Sequence, residues 1–142
     1  MSIPRSHHPK TLDIRSVTND LITLIGLQLE SATLLERQGL GCFLFGMEVA
    51  GGRHAGLSPK QLQDRTSDVL QRSLDFSPDE AVSLTRNLIQ SEAADGNPTI
   101  KSIVSRGRDG YGQWVACADE SLVMNVTAVL LALLRAASPP PS

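Results

Sequence analysis

The chain has 142 residues, 41% of them hydrophobic, and carries 13 basic and 15 acidic side chains for a net charge of −2. That length supports one domain with its own core and requires no metal or disulfide to hold it together. The charge balance offers no basic excess to neutralise phosphates, which excludes nucleic acid as an expected partner.

Residues 1–10 mix Pro4, Arg5, His7, His8 and Pro9 without an apolar run, so they are expected to form a disordered arm and not a secretory signal. Residues 11–137 are assigned to the folded domain and 138–142, Ser-Pro-Pro-Pro-Ser, to a disordered tail. From residue 11 to 37, Ile14, Val17, Leu21, Leu24, Ile25, Ala32 and Leu35 recur at spacings of three and four, the mark of an amphipathic helix. Gly39 and Gly41 interrupt that pattern. The dense segment Cys42-Phe43-Leu44-Phe45-Gly46-Met47 suits burial on most sides as a short helix or a strand and is read as a second helix, and Gly51 to Gly56, with three glycines in six residues, is expected to be a loop.

Two matching helix starts follow, Leu57-Ser58-Pro59-Lys60-Gln61 and Phe76-Ser77-Pro78-Asp79-Glu80. In each, a Ser caps the free backbone amides, a Pro takes the first helical position, and Gln61 or Glu80 reaches back from three residues on. Leu62, Thr66, Val69, Leu70 and Ser73 share a face of the third helix, and Ala81, Thr85, Leu88, Ile89 and Glu92 the equivalent face of the fourth, which predicts a central helical hairpin. Asp95-Gly96 is a turn. Asn97-Pro98 caps and starts a fifth helix that continues through its glycines to about Val115. The last helix runs from about Asp119 to Ala136, with acids in its first turn and Arg135 in its last. Its run Leu122–Leu134 contains Asn125 and Thr127 and falls short of the roughly 18 residues a membrane span needs. The expected architecture is an all-α, single-domain bundle of five to six helices, cytoplasmic and without a membrane segment.

No stretch assembles a catalytic group, a cofactor site or a metal site. Cys42 and Cys117 lack a flanking motif that would pair either with His54 for nucleophilic chemistry, and they read as buried apolar side chains in a reducing compartment. His7 and His8, adjacent on an arm, define no coordination geometry with His54. Gly107-Arg108-Asp109-Gly110-Tyr111-Gly112 follows a helix start by ten residues, unlike a phosphate loop, which opens a helix. Small residues that let helices pack explain it better. A helix-turn-helix reading of helices three and four fails on charge, because Asp75, Asp79, Glu80, Glu92 and Asp95 face only Arg86 across that stretch. Two surfaces remain as expected partner-binding sites. One is the acidic stretch with Asp75, Asp79 and Glu80, suited to a basic protein; the other is Arg106, Arg108, Asp109, Tyr111 and Trp114, the richest arginine and aromatic cluster.

The long first helix, Phe43-Leu44-Phe45-Gly46, the paired Ser-Pro caps, Asn97-Pro98-Thr99-Ile100 and Arg106-Gly107-Arg108-Asp109-Gly110-Tyr111-Gly112-Gln113-Trp114 occur together. Over residues 12–116 this combination resembles the small all-helical immunity proteins of bacterial polymorphic toxin and type VI secretion systems. The resemblance implies a non-enzymatic protein that binds a cognate toxin and blocks its active site or its access to substrate. With no secretion signal, that toxin is expected to act in the cytoplasm, as a nuclease, a nucleotide-consuming enzyme or a protein-modifying enzyme. A competing reading is a helical adaptor, chaperone or structural subunit, a homodimer that buries part of the apolar excess on helices one, two or six. A third is a small enzyme or ligand-binding bundle with a pocket near His54, Arg106 and Arg108.

Overall fold

A computed structural model describes residues 14–91 and 96–137, and in them six α-helices and no strand. The expectations for the arm at 1–10, for Glu92 and Asp95, and for the tail at 138–142 lie outside the described residues. Helix α1 spans Ile14–Ile25, α2 Leu34–Ala55, α3 Pro59–Ser73, α4 Pro78–Ser91, α5 Pro98–Val115 and α6 Asp119–Ala137.

The predicted first helix is two helices. Gly26 takes a left-handed conformation, φ 68°, and ends α1; its N–H donates to Thr23 O and the Leu27 N–H to Ile22 O. A β-carbon is strained in that conformation, so glycine is the natural stop. The chain restarts at Thr33, whose N–H donates to Glu36 Oε1 while its hydroxyl accepts from the Glu36 N–H, a reciprocal cap for α2. The Thr-x-x-Glu spacing was present in the sequence and marks the boundary that apolar periodicity alone runs through.

Helix α2 is also longer than expected. It passes through Gly39, Gly41, Gly46, Gly51 and Gly52 and stops at Gly56, φ 73°, where the Leu57 N–H donates to Gly52 O. The predicted loop at 51–56 is therefore the last turns of a helix and its cap. Isolated glycines disfavour a helix by up to about 1 kcal/mol each, and tertiary packing overrides that here. Every residue from Gly39 to Val49 is buried, so the middle of this helix has no solvent face and no amphipathic stripe to detect.

The bundle is consequently arranged around α2, which packs against all five other helices and most extensively against α5. Helices α3 and α4 pack together across the turn at 74–77 on one flank, but the centre of the molecule is α2 and not that pair. Both predicted Ser caps form. Ser58 exchanges hydrogen bonds with Gln61, and Ser77 does so with Glu80. Asn97 Oδ1 accepts from the Thr99 and Ile100 amides at the start of α5. The core gathers Val17 and Leu21 of α1, Leu40, Phe43 and Met47 of α2, Leu70 and Leu88 of α3 and α4, Val104 of α5, and Leu122 and Val126 of α6.

Where α2 and α5 cross, backbone lies on backbone. A β-carbon on Gly107 would overlap the Phe43 carbonyl oxygen, and one on Gly46 would overlap the Val104 carbonyl oxygen and stand 2.9 Å from the Gly107 Cα. Gly107→Ala is therefore expected to destabilise the fold by about 3 kcal/mol or more, as an overpacked site that only a backbone shift can relieve. Gly112, on the same helix with nothing within 4 Å of its β position, is the control. Gly112→Ala should stabilise by about 0.5–1 kcal/mol, both changes being read from urea unfolding midpoints.

Candidate protein-binding site

The acidic residues of the α3–α4 turn are all exposed, and local hydrogen bonding organises them. Asp75 closes the turn in a left-handed conformation, φ 59°. Arg37, reaching across from α2, donates through Nη1 to the Asp75 carbonyl at 3.0 Å and to the Leu74 carbonyl at 3.4 Å, with its guanidinium 5.4 Å above the Phe76 ring. Phe76 itself is buried. Glu80 is spent partly on the helix cap: its Oε1 accepts the Ser77 N–H. The backbone and hydroxyl of Ser77, and then the charge of Arg37, hold its carboxyl below the usual carboxylate range. The carboxylates of Asp75, Asp79 and Glu80 thus stand on a corner pinned from beneath by a cation. Sequence reading missed Arg37, because nothing local to it signals that α2 will run beside this turn.

The second expected cluster divides between surface and core. With Gly107 and Gly110 facing α2, residues 106, 109 and 113 fall on the flank of α5 that meets α6. Arg106, Asp109 and Gln113 line a groove of about 610 Å³ with Ser121, Met124, Asn125 and Ala128. Asn125 joins its two walls: its Oδ1 accepts from Arg106 Nη1, and its Nδ2 donates to the Arg106 carbonyl and to Gln113 Oε1. Arg106 and Ala128 also border a second groove of about 420 Å³ running toward Pro98 and Ala136. Tyr111 and Trp114 are half-buried and pack against the core, and Arg108 is half-buried. The acidic corner is tied to α2 through Arg37, whereas Arg106 is tied to α6 through Asn125, so the structure holds the two expected clusters by different contacts.

The larger groove gathers the polar side chains of Arg106, Asp109, Gln113, Ser121 and Asn125, and the hydrogen bonds of Asn125 hold Arg106 and Gln113 together across it. No group of three or more His, Cys, Asp or Glu among the described residues is arranged to hold a metal ion, and no helix among them is long and apolar enough to cross a membrane. Burial pushes the Cys42 thiol up to about 12, which leaves it a protonated, inert packing group.

Among the described residues the one buried carboxylate is Glu48, 1% exposed on α2, with Arg65 Nε of α3 at 2.9 Å from its Oε1. Neither of its oxygens receives a hydrogen bond of regular geometry, and the space beside it, about 10 Å³ between Gly41, Phe45, Thr66 and Leu70, is no larger than one water. A lone acid inside the apolar run from Phe43 to Val49 was a visible signal that sequence reading did not use. Burial drives its carboxyl from the ordinary 4.5 up to about 7, against the opposing pull of Arg65.

This helical domain has a match among known families. One protein-family model, described as Immunity protein 48, matches residues 11–134. The chain belongs to the Immunity protein 48 family, and so to the immunity proteins as a class. No curated protein and no solved structure matches it.

Folding stability should carry the signature of Glu48. The folded state keeps its proton up to about pH 7 and the unfolded chain releases it near 4.5. The stability this group contributes is thus full below about 4.5 and is lost as the pH rises to about 7, a fall of about 3 kcal/mol. Glu48→Gln is expected to remove that slope and to unfold at higher urea than the parent at about pH 8, in denaturation curves followed by circular dichroism across the range.

Proposed function

We propose that this protein binds a cognate bacterial toxin in the cytoplasm and neutralises it without catalysis, by covering the toxin's active site or the path of its substrate. Family membership supports the immunity role. The toxin contact is the acidic corner of the α3–α4 turn, and the observation that carries this choice is the pinning of that corner. Asp75, Asp79 and Glu80 are exposed carboxylates on a turn already fixed by the Ser77–Glu80 cap and by Arg37. A preorganised surface loses little conformational freedom on binding, and its charge speeds encounter with a basic partner and disfavours wrong ones. The matching toxin presents a cationic face, as enzymes that handle nucleic acids or nucleotides do, and belongs to a polymorphic or type VI secreted system.

A second contact surface is favoured by the groove between α5 and α6, where Arg106 and Asp109 stand beside the exposed Met124. On this reading Arg108, Tyr111 and Trp114 support the groove from the α5 side.

The two surfaces are separable by mutation. Asp75→Lys with Asp79→Lys, keeping Glu80 for its cap, is expected to weaken binding to the toxin encoded beside the gene by roughly a hundredfold and to flatten its salt dependence. Arg106→Ala with Arg108→Ala should leave that affinity within about threefold. Calorimetric titration, with helicity checked by circular dichroism, measures both. The reverse pattern moves the contact to the groove, and no complex with the adjacent toxin in either form removes the neutralising role.

A further inference from the structure

We propose that the outer face of α6 is a homodimer interface, in which α6 of one copy lies antiparallel on α6 of a second. The inner face of the helix is spent on the core through Leu122, Val126, Val129 and Leu130. The opposite face is exposed throughout, at Glu120, Met124, Thr127, Ala128, Leu131 and Arg135. Met124 is 67% and Leu131 47% exposed, the largest apolar side chains on that stripe. Met124, Ala128, Leu131 and Arg135 follow one another at intervals of four, three and four, the repeat by which two helices keep one seam in contact over their length.

The stripe is complementary to itself. Its charges are one acid at the N-terminal end, Glu120, and one base at the C-terminal end, Arg135. In a parallel pair each would meet its own kind. In an antiparallel pair with the two-fold axis between Thr127 and Ala128, Glu120 meets the partner's Arg135 and Met124 meets the partner's Leu131. Thr127 then lies against the partner's Ala128, all in the same register. Small residues at the axis allow close approach, the large apolar pair flanks it on both sides, and the opposite charges close both ends. An isologous interface requires this mirroring of one patch on itself. The α6 helix is about 28 Å long, so one such seam lies at or below the low end of the ~1,200–2,000 Å² buried in stable interfaces. The dimer is accordingly expected to dissociate in the micromolar range. This inference is compatible with a toxin on the acidic corner, whereas a toxin seated in the α5–α6 groove would compete with the second copy for Met124 and Ala128.

The test is the oligomeric state of the purified chain, by sedimentation equilibrium and light scattering from about 1 to about 200 μM. The parent protein should pass from monomer to dimer over that range, and Leu131→Glu should stay monomeric with its helicity intact. Glu120→Arg and Arg135→Glu, each of which turns two attractive pairs into two repulsive ones, should weaken the dimer roughly tenfold, and the double exchange should restore it to within about threefold. A monomer at every concentration overturns the proposal and leaves the stripe to the toxin or another protein. A dimer indifferent to Leu131→Glu or to the single reversals, or one the double exchange fails to restore, overturns it as well.

Discussion

The backbone contact between α2 and α5 at Gly46 and Gly107 is the constraint on which the rest of the bundle depends. With no β-carbon on either side, the two helices approach until the Phe43 and Val104 carbonyls lie against the opposing chain. Phe43 can then occupy the notch at Gly110, where a β-carbon would stand 2.6 Å from its ring. Close packing of this kind multiplies small dispersion gains along a whole helix. It also fixes the rotation of α5, and with it the residues that α5 offers outward. Because 107 and 110 face the core, 106, 109 and 113 are left to meet α6, and the groove there is a consequence of the crossing.

Glu48 constrains α2 in a different way. Its buried carboxylate is disfavoured in charged form, and Arg65 on α3 opposes that only at the register observed. Sliding α3 along α2 by one turn would strand the acid among apolar side chains, which costs far more than displacing an apolar pair. Glycine contacts position α5, and a charge positions α3. The long central helix thereby acquires two specific neighbours despite carrying no polar face of its own.

For a protein whose family works by binding, the useful product of this core is a set of held surfaces. The acidic corner is held by Arg37 from below and by the Ser77–Glu80 cap from within. The α6 stripe is held because the opposite side of the same helix is consumed by the core. The two are held differently: the corner by polar contacts at the surface, of which Glu80 is itself a member, and the stripe by the apolar residues on the buried side of its own helix.

Helix content, the Ser58, Ser77 and Asn97 starts and the dipole-matched ends of α6 were legible in the sequence, because caps and end charges are made by residues within a few positions of each other. The family was legible for a similar reason, through short local motifs such as the segment ending at Trp114. Of the candidate site, sequence supplied the exposed acids and Arg106, but not Arg37, Glu48 or the walls of the α6 groove, whose partners lie far along the chain. The division of the first helix at Gly26 was also missed, although Thr33 and Glu36 encode it locally. The central place of α2 could not be read from local pattern, since its middle segment, buried on every side, has no periodicity and its glycines look like breaks. By itself the sequence determined where most helices begin and end, through interactions that each helix makes with itself. Only the tertiary structure decided that a glycine-rich segment is helix and that it is the core, because the energy that overrides its poor helix propensity comes from five neighbours brought against it.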